Sequence, residues 1–161
     1  ASEGLERMKM WPAFYSHLAH IRDGTRTMAT PDGRASGDAL SENLAASTGS
    51  PECSPGSVLR AMSHLPLDHT PSGAAILTLP QNAFLGEEGT VRLLSLMETY
   101  FGLGGLHLHV NTIDVETLEA ALESPDQYRD LMVRVAGFSA YFVHLIPQVQ
   151  QDVIRRHRAA S

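Results

Sequence analysis

One cysteine, Cys53, is all the thiol this sequence offers, which excludes an internal disulfide and leaves no Cys-x-x-Cys pair for a metal or an iron–sulfur cluster. Positive charge is scarce as well. Lys and Arg number 12 against 18 Asp and Glu, giving a net charge of −6, and the basic residues form no stripe, so nucleic acid is not the expected partner. No apolar run approaches the about 18 residues that a membrane span needs. The first residues lack the apolar core of a signal peptide. These absences predict a cytoplasmic protein with no membrane or nucleic-acid partner. What is present is globular: 161 residues, 43% of them apolar, enough for one domain with a real core.

Residues 1–10 read as a short amphipathic segment or helix. Residues 11–21 alternate loosely, a weak strand signal. Residues 22–57 are rich in Gly, Pro, Ser and Thr, the composition of a long structured loop. Inside it, Thr30-Pro31-Asp32-Gly33-Arg34 is a turn, with Pro setting φ and Gly accepting φ > 0. Residues 56–65 suit a short helix, and Ala74–Leu79 a buried strand between Gly73 and Pro80. Residues 87–101 read as a helix with Val91, Leu94, Met97 and Phe101 on one face, stopped by Gly102, Gly104 and Gly105. Leu106-His107-Leu108-His109-Val110-Asn111 alternates strictly, a strand with one apolar and one polar face. Asp114 caps a helix to about Glu123. Ser124 and Pro125 open another short helix, and Pro147 opens a last one to about Arg158, whose arginines favour its C-terminal dipole. Strand, long helix, strand is a parallel βαβ pattern. Its few strands leave open edges that call for a partner.

The residue that breaks these patterns is Gly137. It sits between two apolar runs, Met132–Ala136 and Phe138–Leu145, with no Asn, Asp or Pro within five positions. Such a glycine marks a place where a Cβ is not tolerated, through backbone strain or close approach. His107 and His109 share a strand face with Asn111. His-x-His can bind zinc, but spacing fixes no third ligand, so polar residues facing an interior or a partner are expected rather than a metal site.

Arg134, Val135, Ala136, Gly137 and Ala140 stand where the glycyl radical enzymes have Arg-Val-Ser/Ala-Gly-Tyr-x-Ala. This is the family of pyruvate formate-lyase, glycerol dehydratase and choline trimethylamine-lyase. Phe138 replaces the usual Tyr, and Met132 sits where a small or β-branched residue is commoner. Thr30–Arg34 resembles the family's Thr-Pro-Asp-Gly-Arg segment. Pro12, Tyr15, Ala19 and His20 before it, and Gly49, Val58, Leu59, Asp68, His69 and Gly73 after it, continue the agreement. Two separated motifs in the right order are more specific than either alone. Val-Ala-Gly-Phe-Ser-Ala-Tyr-Phe-Val is nearer the dehydratase and choline-lyase branch than pyruvate formate-lyase.

The resemblance, which covers roughly residues 10–158, implies a fold: the C-terminal part of a ten-stranded α/β barrel, present as a single glycyl radical domain. Residues 1–80 would hold the last barrel-strand region and the Gly/Pro loop. Residues 81–161 would hold a βαβ-like segment, the glycyl loop and the C-terminal helix. It implies a radical stored on Gly137, with Arg134 and Phe138 supporting the loop and the apolar flanks Val133, Val135, Phe138, Tyr141 and Phe142 excluding water. No cofactor would be bound. A radical S-adenosylmethionine activase with a [4Fe-4S] cluster would install the radical. The thiyl cysteine would lie on a large barrel subunit, for which Cys53, in its polar loop, is no substitute. His107, His109 and Asn111 would face substrate, although His109 stands where the family commonly has Gln. The chain would be a small subunit of a split enzyme or a C-terminal fragment, serving radical C–O, C–N or related bond cleavage. A spare part that repairs an oxygen-cleaved enzyme, and a non-catalytic interaction domain, are the alternatives.

Overall fold

The computed structural model describes residues 11–47 and 54–159. The segment 1–10, Gly49 and Cys53 lie outside the described residues. The fold is mixed α/β. Its elements, in order, are α1 (Ala19–Gly24), α2 (Pro55–Met62), β1 (Ala74–Thr78), α3 (Gly86–Gly102), β2 (His107–Asn111), α4 (Val115–Glu123), β3 (Met132–Arg134), β4 (Ser139–Tyr141) and α5 (Pro147–Arg158).

β1 and β2 pair in parallel, with Ala74 opposite His107 and Thr78 opposite Asn111, and α3 is the crossover. Their apolar faces, with Leu44, Leu59, Met62, Leu67 and Tyr100, form one core. At Gly105 the chain passes close to α3: a Cβ there would lie 2.3 Å from the Tyr100 ring. That closeness lets the Tyr100 hydroxyl donate to the His107 carbonyl at 2.9 Å and lock the start of β2. α3 is apolar on two sides. Tyr100 is buried, with Leu93 and Leu96 packed against the same core. The stripe Val91, Leu94 and Phe101 picked out by periodicity is exposed, at 58%, 54% and 47%.

A second core gathers α4, α5 and the β3–β4 hairpin around Leu118, Val133, Val135, Phe142 and Val153. Residues 11–24 bridge the two cores, and 11–21 are not the strand that their loose alternation suggests. Only Phe14 forms a parallel bridge, to Gly73, and its side chain packs on the first core. Residues 19–24 are helical because His20 and Ile21 must reach the second core region, which an extended chain cannot do from one face. Asp114 and Ser124 hold the expected N-cap positions, yet neither side chain makes a capping bond, and the short helix after Ser124 is a 3-10 helix, Pro125–Tyr128. α2 does have its cap: Ser57 N donates to Ser54 Oγ at 3.3 Å, with Pro55 in the first turn.

The long loop is ordered by charge. Arg34 is buried, and its guanidinium donates to the carbonyls of Thr27, Met28, Ala35 and Asp38, stapling the Thr30–Arg34 turn to its surroundings. Further along, Glu42 pairs with Arg156 of α5. Asp152 of α5 lies 3.2 Å from His20 Nε2 and 3.1 Å from Arg156 Nε, and also pairs with Arg155. Burial pushes the Glu42 carboxyl up to about 7, against the pull of Arg156 and His20. Burial would raise Asp152 too, but the hydrogen bond from His20 and the charges of Arg156, His20 and Arg155 hold it below the usual carboxylate range.

Candidate functional site: the glycine-tipped hairpin

β3 and β4 pair antiparallel, with Met132 opposite Tyr141, Val133 opposite Ala140 and Arg134 opposite Ser139. The turn between them is Val135-Ala136-Gly137-Phe138, closed by Val135 N donating to the Phe138 carbonyl at 2.9 Å. Gly137, at its third position, has φ +84°, while Ala136 keeps a negative φ, the pattern of a type II turn. Glycine is required there by backbone conformation. It is not required by crowding: a Cβ on Gly137 would meet nothing within 4 Å. Of the two reasons expected for the residue, strain holds and close approach does not.

Below the tip the hairpin is rooted in apolar contacts. Val133, Val135, Ala136 and Phe142 are at most 1% exposed. The tip is open, with Gly137, Phe138 and Ser139 all exposed. Of the five flanking residues expected to exclude water, Phe138 and Tyr141 do not: they are 36% and 45% exposed. Phe138 lies in the turn itself, and Tyr141 points outward by strand alternation. One face of the hairpin packs on the core, and the opposed pair Met132 and Tyr141 occupies the other, which nothing among the described residues covers.

Arg134 organises the tip. Its Nη2 donates to the Gly137 carbonyl at 2.8 Å and lies 3.2 Å from His109 Nε2, and its Nη1 donates to Ser139 Oγ at 3.1 Å. Asn111, buried beneath, donates its amide to the Arg134 carbonyl at 3.3 Å. The polar face of β2 is thus turned toward the hairpin. The His107 ring lies tilted against that of His109, with ring centroids 4.1 Å apart and planes at 50°. Burial lowers His109 to about 4, and the charges of Arg134 and His107 push the same way, so its imidazole is neutral at ordinary pH. Phe138 has one aromatic neighbour from the other side, His17, at 6.4 Å. Sequence reasoning missed Ser139 and His17. Hairpin register would have offered Ser139, once the turn was centred on Gly137; no spacing points to His17. Among the described residues, no three His, Cys, Asp or Glu side chains converge as a metal site requires, and no helix is long and apolar enough to cross a membrane.

The solved structure of the glycerol-bound, B12-independent glycerol dehydratase from Clostridium butyricum superposes with a TM-score of 0.85 at 35% identity, over 91% of this chain and 19% of that one. The chain is 35% identical over 156 residues to the 4-hydroxyphenylacetate decarboxylase glycyl radical subunit of Clostridioides difficile, matching 96% of this chain and 17% of the relative. To the indoleacetate decarboxylase of Tractidigestivibacter scatoligenes it is 40% identical over 147 residues, 89% of this chain and 16% of that one. The family model described as "Glycine radical" matches residues 40–143. The chain belongs to the glycine radical family and is a glycyl radical domain of the kind found in glycyl radical enzymes. It spans about one sixth of the length of these curated relatives.

Proposed function

We propose that Gly137 is the residue that stores the radical, and that this domain hands it to a cysteine supplied by the barrel part of the enzyme. The observation that carries the reading is Gly137 itself, the glycine whose carbonyl accepts from Arg134 Nη2 at 2.8 Å. It is an unsubstituted carbon at a hairpin tip, held at φ +84°, with open space where a side chain would stand. A Cα radical is flat and delocalised over the flanking amide nitrogen and carbonyl, a geometry that a side chain would crowd. An activase radical removes one Cα hydrogen as an atom, leaving the unpaired electron on Gly137. Gly137 later takes a hydrogen atom from a cysteine, re-forming its C–H bond and leaving a thiyl radical. The open direction above Gly137 gives an activase access. The uncovered face with Met132 and Tyr141 is where the barrel would close over the hairpin and exclude oxidants.

In this reading the domain is the C-terminal part of a ten-stranded barrel. The thiyl cysteine, its acid and most of the substrate pocket belong to the portion that the chain does not span. The activase is a radical S-adenosylmethionine enzyme with a [4Fe-4S] cluster. The bond cleaved is C–O, C–N or a related one. Relatives are named as decarboxylases, dehydratases and sulfite-lyases, which supports a radical-storing part common to several reactions, with specificity set elsewhere.

Oxygen tests the assignment. After anaerobic activation in the complete enzyme, brief exposure to air should cut the chain at Gly137, giving by mass spectrometry an N-terminal piece that stops at the Ala136–Gly137 junction. Cleavage at another glycine, or none, would contradict it.

A further inference from the structure

The strongest unused feature of the site is the contact between β2 and the hairpin. A guanidinium carries donors only. The Nε2 of His109 that faces Arg134 at 3.2 Å is therefore the unprotonated nitrogen, and the imidazole proton resides on Nδ1. The two hydrogens of Arg134 Nη2 are then both engaged, one on His109 Nε2 and one on the Gly137 carbonyl. Nη1 is fixed by Ser139.

We infer that His109 is a positioning residue for the radical: its neutral ring accepts from Arg134, fixes the guanidinium in plane, and thereby holds the Gly137 carbonyl in the orientation that conjugates with a Cα radical. This rests on the proposed radical role of Gly137. The carbonyl is the group over which the unpaired electron spreads, so its orientation and the hydrogen bond it accepts bear directly on the stability of the radical. A charge-assisted bond to that oxygen favours the electron-rich carbonyl of the delocalised form. The charged and titratable groups facing His109 are Arg134 from β3 and His107 from its own strand. β1 contributes none, since the residues opposite are Ala74, Ile76 and Thr78. A protonated His109 would face Arg134 with a second cation and expel it from the Gly137 carbonyl. Burial beside a permanent cation keeps the ring neutral, which is what the contact needs.

Three substitutions separate acceptor, volume and charge: His109→Gln, His109→Leu and His109→Lys. Each is compared with wild type in the complete enzyme, by spin-counted electron paramagnetic resonance after anaerobic activation. His109→Leu should lower the radical yield about tenfold, the factor that 1.4 kcal/mol represents. His109→Lys should lower it further. His109→Gln, a neutral acceptor, should recover most of the loss. Separately, nitrogen-15 spectra of the imidazole should show Nε2 unprotonated at neutral pH, and the preference should vanish in Arg134→Ala. Equal yields in all three variants, or an Nε2-protonated ring in wild type, overturn the inference. A wild type with no radical overturns the parent reading and takes this one with it. A wild-type signal beside indifferent variants overturns this one alone.

Discussion

Two polar systems flank the second core, and they differ in what they hold. On the α5 side, Glu42, His20, Asp152 and Arg156 form a nearly dry ionic cluster that ties the long loop to the last helix. On the β2 side, Arg134, His109 and Ser139 form a half-open tie around the Gly137 carbonyl. Breaking a buried pair strands a charge away from water. Breaking the open tie lets water replace each lost partner. The first system therefore belongs to stability, and the second to the state of one carbonyl. The hairpin repeats the division within a few residues, with a base packed as tightly as any core and a tip left free.

The sharpest break of this comparison is at Gly137. Gly137→Ala should abolish the radical completely in the activated enzyme. It should cost only about 1–2 kcal/mol in thermal or urea unfolding, the penalty for a left-handed residue that meets no neighbour. On the other side, Asp152→Ala should cost about 3–5 kcal/mol of unfolding free energy, because His20 and Arg156 lose their buried partner. Arg134→Ala should cost about 1 kcal/mol. If urea unfolding ranks Arg134→Ala above Asp152→Ala, the division fails.

Titration separates the same two systems, because their shifts oppose each other. Glu42 is raised to about 7, so the folded state keeps a proton that the unfolded chain has lost above about 4.5. Its contribution is full at acid pH and drains as pH rises through 7, by about 3 kcal/mol at most. His109 is lowered to about 4, so the unfolded chain takes a proton near 6.5 that the folded state refuses. Its contribution is full above 6.5 and drains as pH falls toward 4. In wild type the two slopes oppose each other between about pH 4.5 and 6.5. Relative to wild type, denaturation at stepped pH should show His109→Gln shifted toward losing stability as pH rises through this window. Glu42→Gln should lose it as pH falls. Matching slopes in the two variants would refute the assignment. The smallest effects belong to the exposed pairs: Arg92→Ala, which loses Glu88, and Arg129→Ala, which loses Asp126, should each change stability by no more than about 0.5 kcal/mol.

Much of this was legible beforehand, wherever a local pattern had a local cause. The run Ala74–Leu79, the alternation 106–111 and the proline at 147 mark elements that form within a residue or two of where they should. Residues 11–24 were not legible, because a single bridge at Phe14 and a buried ion partner at Asp152 decide them, and both partners are distant in sequence. The inward stripe of α3 was not legible either. The helix is apolar on two sides, and periodicity does not say which side this chain itself covers. At the candidate site, Gly137 and Arg134 stand out in one dimension. That Asn111 and His109 bond to Arg134 depends on β2 lying under the hairpin, which only the fold provides.

The central claim is that one carbon in this chain loses a hydrogen atom and keeps the electron. The direct measurement is electron paramagnetic resonance of the anaerobically activated enzyme grown with ordinary or Cα-deuterated glycine. A radical on Gly137 retains a single α-hydrogen, so the signal should be a doublet that collapses toward one line on deuteration and is missing in Gly137→Ala. A signal that ignores deuteration, or that survives in Gly137→Ala, would contradict the account.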